Sequence, residues 1–158
     1  MIYSPRTKLI VLVIKRYGGF KLIVLTDKSF LIAAVDKSNK NHKRAANYLN
    51  KNSSLTYVIP FSVILEVSDF IDLNISKEVE ILFLKKIVKN FNIEFIENND
   101  IERAIDILER YAGLEINFSD AVFTAISERL KTNNILTFNT GDFSKITPLG
   151  FKKFNVLV

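Results

Sequence analysis

Four acidic residues of this sequence stand where side chains of a folded chain can meet. Asp27 ends the apolar stretch "KLIVLTD", and Asp142 lies four residues beyond the end of "ILTF". Asp120 opens the helical segment that leads into "ILTF", and Glu66 lies at the border of the apolar face of another predicted helix. Because ligands of open parallel sheets bind beyond the carboxyl ends of the strands, we expect these four carboxylates to converge at one sheet edge.

The chemistry of such a cluster points to a divalent cation. Four neighbouring carboxylates repel one another unless a cation neutralises them, and ligand sets made only of oxygen suit Mg²⁺ or Mn²⁺. The chain has no cysteine and one histidine, which excludes a closed structural zinc site and a thiolate nucleophile. A divalent ion held by carboxylates can orient water and stabilise charge on a phosphodiester.

Taken singly, each of these acids also suits a structural role. Asp27 fits a turn at the end of a strand, and Glu66 fits a solvated helix border. Asp120 fits a first-turn carboxylate favoured by the helix dipole, and Asp142 fits a Gly-Asp turn. Their joint placement at one edge favours a site over four separate structural residues.

The segments that must position the acids alternate between strands and helices. Strands are predicted at 20–27, 55–60, 93–97, 134–138 and 152–158, and helices at 29–36, 41–50, 61–73, 76–91, 100–113 and 120–131. Parallel strands joined by helices predict an α/β fold, a three-layer α/β/α sandwich with a central, mainly parallel, five-stranded sheet.

Helix periodicity supports a site position for Glu66 but not for Asp120. Glu66 alone among the acids of its helix borders the apolar face, which centres near Val67. Asp120 lies with Thr124 and Ser127 opposite the apolar face of its helix, so its place in the site depends on its position in the first helical turn.

Capping signals predict where two of the helices begin. Asn99 followed by Glu102 predicts a capping box for the helix at 100–113, and Gly113 predicts its end. Ser119 is predicted to be the N-cap of the next helix.

Residues 1–19 are predicted to be an N-terminal extension to a single domain at 20–158. The stretch 8–15 nearly repeats 21–28 but lacks the aspartate, so it fits either an extra edge strand or a loosely attached segment. A chain of 158 residues with 48% hydrophobic content is long enough to bury one core.

Net charge and hydropathy limit the class of partner and the cellular location that this protein can have. Lys and Arg number 22 against 17 Asp and Glu, and the resulting charge of +5 favours a polyanionic partner such as nucleic acid. The longest apolar runs are far shorter than the roughly 18 residues of a membrane span, and no signal-peptide cleavage site is evident. With no cysteine, we expect a cytoplasmic protein with no membrane association.

Four segments together resemble the PIN-domain ribonucleases, particularly the small VapC-type toxins of toxin–antitoxin pairs. They are "LTDKSFLIAAVDKSNKNH", the helix with Glu66, "FSDAVFTAISER" and "ILTFNTGDF". The resemblance implies a PIN-like nuclease domain at 20–158 and a metal-dependent endoribonuclease. The catalytic and metal-binding residues that it implies are Asp27, Glu66, Asp120 and Asp142, with Mg²⁺ or Mn²⁺ activating water for in-line attack. It also implies a homodimer and a small antitoxin protein that covers the acidic groove.

The same resemblance assigns roles to neighbouring residues. Ser29, Thr137 and Asn139 match small polar positions that support the site. Lys28 departs from the family, which usually has a small hydroxyl residue there, and it is expected either to face solvent or to contact phosphate. Lys28 and Lys145 are the first candidates for RNA contact, since each lies within three residues of an acid.

Other classes of function stay open on the sequence alone. A housekeeping RNA-processing PIN nuclease has the same site, and a non-catalytic PIN-like binding module has the same fold without a metal. A nucleotide-binding α/β protein lacks support, because the sequence has no G-x-G-x-x-G motif and no P-loop.

Overall fold

The computed structural model describes residues 22–158, which form one parallel sheet with helices around it. The strands are β1 (Ile23–Thr26), β2 (Thr56–Pro60), β3 (Asn92–Glu94), β4 (Asn134–Leu136) and β5 (Asn155–Val156). Their order in the sheet is β3-β2-β1-β4-β5, and every neighbouring pair is parallel. The predicted five-stranded sheet is therefore confirmed, although most strands are shorter than their apolar runs.

Seven helices connect these strands within residues 22–158. They are α1 (Lys28–Val35), α2 (His42–Lys51), α3 (Phe61–Asn74), α4 (Lys77–Asn90), α5 (Asn98–Arg110), α6 (Phe118–Arg129) and α7 (Thr140–Lys145). Helix α1 packs on α2 and α3, α3 packs on α4, and α5 packs on α6. Right-handed crossovers place α1 to α4 on one face of the sheet and α5 and α6 on the other. The predicted three-layer α/β/α sandwich is confirmed.

The strand order creates a switch point between β1 and β4. From β1 the chain proceeds outward to β2 and β3, and it then returns to add β4 and β5 on the opposite side of β1. Connections leave in opposite directions from the carboxyl ends of β1 and β4, which opens a crevice there. Strands β1 and β2 are almost entirely buried, as apolar strands covered on both faces must be.

A buried ionic network fixes α6 against α5 and β3. The guanidinium of Arg129 donates to Asp100 over 2.8 Å and to Glu94 over 2.7 Å, while Arg103 donates to Glu128 over 2.7 Å. Glu94 and Asp100 are only 1% and 2% exposed, and losing Arg129 would leave the buried Asp100 carboxylate without its cationic partner. This network holds the helix that carries Asp120 in place.

Both predicted helix N-caps were wrong by two residues. Helix α5 is capped at Glu97, whose backbone N–H donates to Oδ2 of Asp100 over 2.9 Å, and it ends before Tyr111 rather than at Gly113. Helix α6 is capped by Asn117, not Ser119. Several capping residues lie side by side in each segment, and the direction in which the chain enters the helix selects among them.

The predictions for the N-terminal extension at 1–19 lie outside the described residues. Within residues 22–158, no helix is long and apolar enough to cross a membrane.

Candidate active site

Asp27 lies at the carboxyl end of β1 and caps α1. Its Oδ2 accepts hydrogen bonds from the Ser29 backbone N–H (3.1 Å), the Ser29 hydroxyl (2.6 Å) and the Thr137 hydroxyl (2.8 Å). Asp27 is only 4% exposed. All three donors engage the same oxygen, which fixes the carboxylate and leaves Oδ1 outside these bonds.

Ser29, Thr137 and Asn139 join the end of β1 to the end of β4. The hydroxyls of Ser29 and Thr137 lie 3.0 Å apart, and Thr137 is completely buried. The Asn139 backbone N–H donates to the Thr137 hydroxyl over 2.9 Å, and its side-chain amide donates to Asp142 over 2.5 Å. The three residues thus contact Asp27 or Asp142, two of the four acids.

Asp142 lies in the first turn of α7 rather than in the turn that the sequence suggested. The Asn139 amide and the Lys145 ammonium, 3.0 Å from Oδ1, hold the pKa of Asp142 below its usual value. This carboxylate is therefore ionised and compensated at neutral pH.

Asp120 has the opposite environment. It is 4% exposed, and its backbone N–H donates to the Asn117 side chain over 2.9 Å. Its Oδ2 is one of three buried side-chain oxygens in the described part of the chain that have no hydrogen-bond partner. Burial, reinforced by the charges of Asp27 and Asp142, raises the pKa of Asp120. A buried carboxylate oxygen without a donor is a suitable ligand for a cation.

Glu66 reaches the site from α3 and contacts two other elements. Its Oε2 accepts from the Lys28 ammonium over 2.6 Å, and its Oε1 accepts from the Ser119 hydroxyl over 2.5 Å. Glu66 thereby connects α3 to the first turns of α1 and α6.

The charge of Lys28 interacts with the charges of all four acids. Burial lowers the pKa of Lys28, but the hydrogen bond and charge of Glu66, together with the charges of Asp120 and Asp27, outweigh burial and raise it. The Lys28 charge in turn contributes to lowering the pKa of Asp142. The Lys28 ammonium is therefore close enough to each of the four carboxylates for their charges to interact, and its direct contact is with Glu66.

Both lysines that the sequence suggested for RNA contact form ion pairs with acids in this structure. Lys28 binds Glu66 and Lys145 binds Asp142, and each lysine side chain is 35% exposed. Neither ammonium group simply faces solvent.

The donor atoms of the cluster suit a divalent ion, but the carboxylates are not arranged around a single ion position. All four candidate ligands are carboxylates, and Asp120 offers a buried oxygen with no other partner. Yet no three acids or histidines among residues 22–158 already surround a single metal position. Repulsion between ionised carboxylates opposes such an arrangement until a cation draws them together.

Two residues of the site were not identified from the sequence. Asn117 caps the helix that bears Asp120, and Ser119 binds Glu66. The pattern Asn-x-x-Asp was a usable capping signal for Asn117. The contact between Ser119 and Glu66 joins residues 53 positions apart, and no local pattern reports it.

A shallow groove of about 590 Å³ adjoins the acids. It is lined by Ser29, Ile32, Asn39, Lys40, Asn41, Phe138 and Asn139. The guanidinium of Arg44 lies 5.3 Å from the centre of the Phe138 ring, at the side of this groove. Cationic and amide side chains thus lie in the same groove as Ser29 and Asn139, which contact Asp27 and Asp142.

An all-parallel sheet with acidic side chains near its switch point defines an α/β protein with an acidic candidate site. The model of the PIN domain family matches residues 24–147, which include all four acids, and the chain belongs to this family.

Individual relatives agree with this assignment. Ribonuclease VapC26 of Mycobacterium tuberculosis is 23% identical over 135 residues, which cover 85% of this chain and 99% of the relative. The crystal structure of M. tuberculosis VapC20, a toxin that cleaves the sarcin–ricin loop, has a TM-score of 0.71 and 21% identity, covering 81% of this chain and 95% of that one. A toxin–antitoxin complex from Klebsiella pneumoniae has a TM-score of 0.60 and 22% identity, covering 79% and 97%.

Proposed function

We propose that this protein is a metal-dependent endoribonuclease that hydrolyses RNA phosphodiester bonds and serves as the toxin of a toxin–antitoxin pair. The proposal is supported chiefly by four carboxylates near the carboxyl edge of a PIN-domain sheet, with the Lys28 ammonium close enough for its charge to interact with each of them. A similar ribonuclease that aligns with 85% of this chain supports RNA as the substrate.

The residues proposed to hold Mg²⁺ or Mn²⁺ are Asp27, Glu66, Asp120 and Asp142. When bound, the ion supplies an activated water and offsets negative charge on the phosphate. Asp27 is preorganised for this role, because Ser29 and Thr137 fix its carboxylate before any ligand arrives. Asp120 contributes the oxygen that has no protein partner.

The RNA backbone is proposed to enter along the groove beside Ser29 and Asn139. Lys40 lines this groove and Arg44 lies at its side. Neither side chain forms an ion pair among the contacts described above, so both are available to bind phosphate. Phosphate contacts from such side chains supply most sequence-independent affinity for nucleic acid. The net charge of +5 favours the approach of RNA despite the acidic centre.

The proposed protein partners are a small antitoxin and a second copy of this chain. The K. pneumoniae relative is a toxin in complex with an antitoxin, which supports the first partner. Light scattering at micromolar concentration tests the second, and a monomer alone would contradict the homodimer without affecting the enzyme.

Cleavage of total RNA by the wild type and by Asp120→Asn tests the catalytic proposal. We expect the wild type to cut with Mg²⁺ or Mn²⁺, to stop in EDTA, and to recover when metal is restored. Asp120→Asn should be inactive while folded. A purified wild type that cuts no RNA with either metal, and whose melting temperature Mn²⁺ leaves unchanged, would favour the non-catalytic binding module.

A further inference from the structure

The ion pair between Lys28 and Glu66 lies inside the acidic cluster rather than on the outer surface. It joins the first residue of α1 to the middle of α3, with 2.6 Å between Nζ and Oε2. The two side chains are 35% and 33% exposed, so water screens their attraction only in part. A fully exposed pair of this kind would have little influence on its surroundings.

The Lys28 ammonium lies near the carboxylates, where its positive charge reduces their mutual repulsion. It follows Asp27 directly in the chain, and it interacts with the charges of Asp27, Glu66 and Asp120. Its charge also reaches Asp142 on α7. Lys145, by contrast, pairs with Asp142 from within the same short helix. Lys28 is therefore the lysine that shares its charge among the four acids.

We propose that Lys28 is an internal counter-ion that competes with the divalent metal for Glu66 and so sets the metal affinity of the site. This inference rests on the proposed function, because it takes the four acids to be the metal ligands. A dication that engages Glu66 must displace the ammonium from Oε2, since both bind the same carboxylate and repel each other. The ion pair thus stabilises the metal-free protein and weakens metal binding.

When a metal ion displaces the Lys28 ammonium from Glu66, the lysine side chain takes a second position. Its side chain is long and carries a point charge on four flexible carbons. Released from Glu66, the ammonium remains beside the cluster, where the phosphate of a bound RNA brings negative charge. The same residue therefore neutralises the acids before metal binds and offers a cation to the substrate afterwards.

Titration calorimetry with Mn²⁺ in the absence of RNA, at fixed pH and ionic strength, tests the competition. Lys28→Met keeps the length of the side chain and removes its charge, and it should bind Mn²⁺ about tenfold more tightly than the wild type, if not more. Lys28→Arg keeps the charge and should stay within about threefold of the wild type. The matched control is Lys77→Met, which removes an equally well-paired lysine, bound to Asp72 and Glu80 away from the cluster.

Thermal unfolding adds a second readout, the rise in melting temperature with Mn²⁺, which loss of a merely structural ion pair would not change. Without metal, Lys28→Met should melt below the wild type, and Mn²⁺ should raise its melting temperature by more than it raises that of the wild type. If removing the charge leaves Mn²⁺ affinity unchanged or weakens it, or if Lys77→Met tightens binding equally, Lys28 is not a competitor. The competitor role is also overturned if neither the wild type nor Lys28→Met binds Mn²⁺.

Failure of this inference is distinguishable from failure of the proposed function. An active, metal-dependent wild type whose Mn²⁺ affinity does not respond to Lys28→Met would overturn only the counter-ion role. Should Lys28→Met fold poorly, Lys28→Gln offers a neutral polar replacement with the same expected gain in affinity.

Discussion

The hydroxyl of Thr137 donates to Oδ2 of Asp27 over 2.8 Å and joins the ends of β1 and β4 across 110 residues of sequence. Thr137 is completely buried and Asp27 nearly so, so this contact fixes the carboxylate at the switch point of the sheet. A buried hydrogen bond to a charged acceptor is among the stronger contacts of this type.

Thr137→Val should therefore lower both stability and turnover. Valine keeps the β-branched shape but leaves Asp27 with one donor fewer, at a cost of about 1–3 kcal/mol in the free energy of unfolding. Urea denaturation measures the first effect and single-turnover cleavage the second. Thr147→Val, at an exposed position, is the matched control and should change neither. A Thr137→Val protein as stable and active as the wild type would show that the contact does not hold Asp27.

Asp120→Asn should stabilise the metal-free protein at pH 7. The pKa of Asp120 is raised from 3.8 by burial and by Asp27, so the folded state holds this proton more tightly than the unfolded state. Stability therefore falls as pH rises from 3.8 through the folded pKa, and the full penalty persists above it. We expect Asp120→Asn to melt a few degrees higher in EDTA, with the difference shrinking below about pH 4.

Asp142→Asn is the contrasting variant for that experiment. Hydrogen bonds from Asn139 and Lys145 lower the pKa of Asp142, so its contribution to stability is present above 3.8 and is lost as pH falls through the lowered pKa. Asp142→Asn should leave the melting temperature at pH 7 unchanged or reduce it. If both variants gain equally, general repulsion governs the cluster and the local partners matter little.

Glu66→Gln should separate binding from turnover. The substitution keeps the shape of the side chain, removes a negative charge from the cluster and frees Lys28. RNA affinity, measured by fluorescence anisotropy with EDTA present, should hold or improve, whereas turnover at saturating RNA should fall by about 100-fold or more. A variant that loses affinity but keeps its maximal rate would place Glu66 outside the metal ligands.

Arg44→Gln and Lys40→Gln should weaken RNA binding while sparing the chemical step. Both residues are exposed at the groove beside Asn139, whereas Lys28 and Lys145 are already paired with acids. Each lost phosphate contact should reduce the slope of log affinity against log salt by about 0.7, the value for single strands. Lys89→Gln, exposed near the end of α4, is the control that changes net charge equally. Equal losses in all three variants would indicate that net charge alone attracts the RNA.

Much of the fold was predictable because its signals are local. Apolar runs and helical periodicity depend on neighbouring residues, so the five strands, the helix with Glu66 and the positions of Asp27 and Asp142 near strand ends all followed from the sequence. The N-caps Glu97 and Asn117 were each predicted two residues too late in the chain. Neighbouring residues in both segments can cap a helix, and the direction of the incoming chain selects among them.

Asp120 shows what periodicity could not decide. With Thr124 and Ser127 it lies opposite the apolar face of α6, a side normally left to solvent, yet all three residues are buried. Thr124 is satisfied locally, because its hydroxyl donates to the Asp120 carbonyl over 2.8 Å. Whether a polar side of a helix meets water depends on what packs against it, and here α6 is buried on nearly every side, with α5 packed against it.

The sequence by itself determined which residue types reach the carboxyl edge of the sheet and that no thiolate or histidine cluster competes with them there. Only the tertiary structure decided their partners: Lys28 with Glu66 across 38 residues, Ser119 with Glu66 across 53, and Thr137 with Asp27 across 110. The strength of a charge–charge or hydrogen-bond contact depends on separation in space and on burial, and a linear pattern specifies neither.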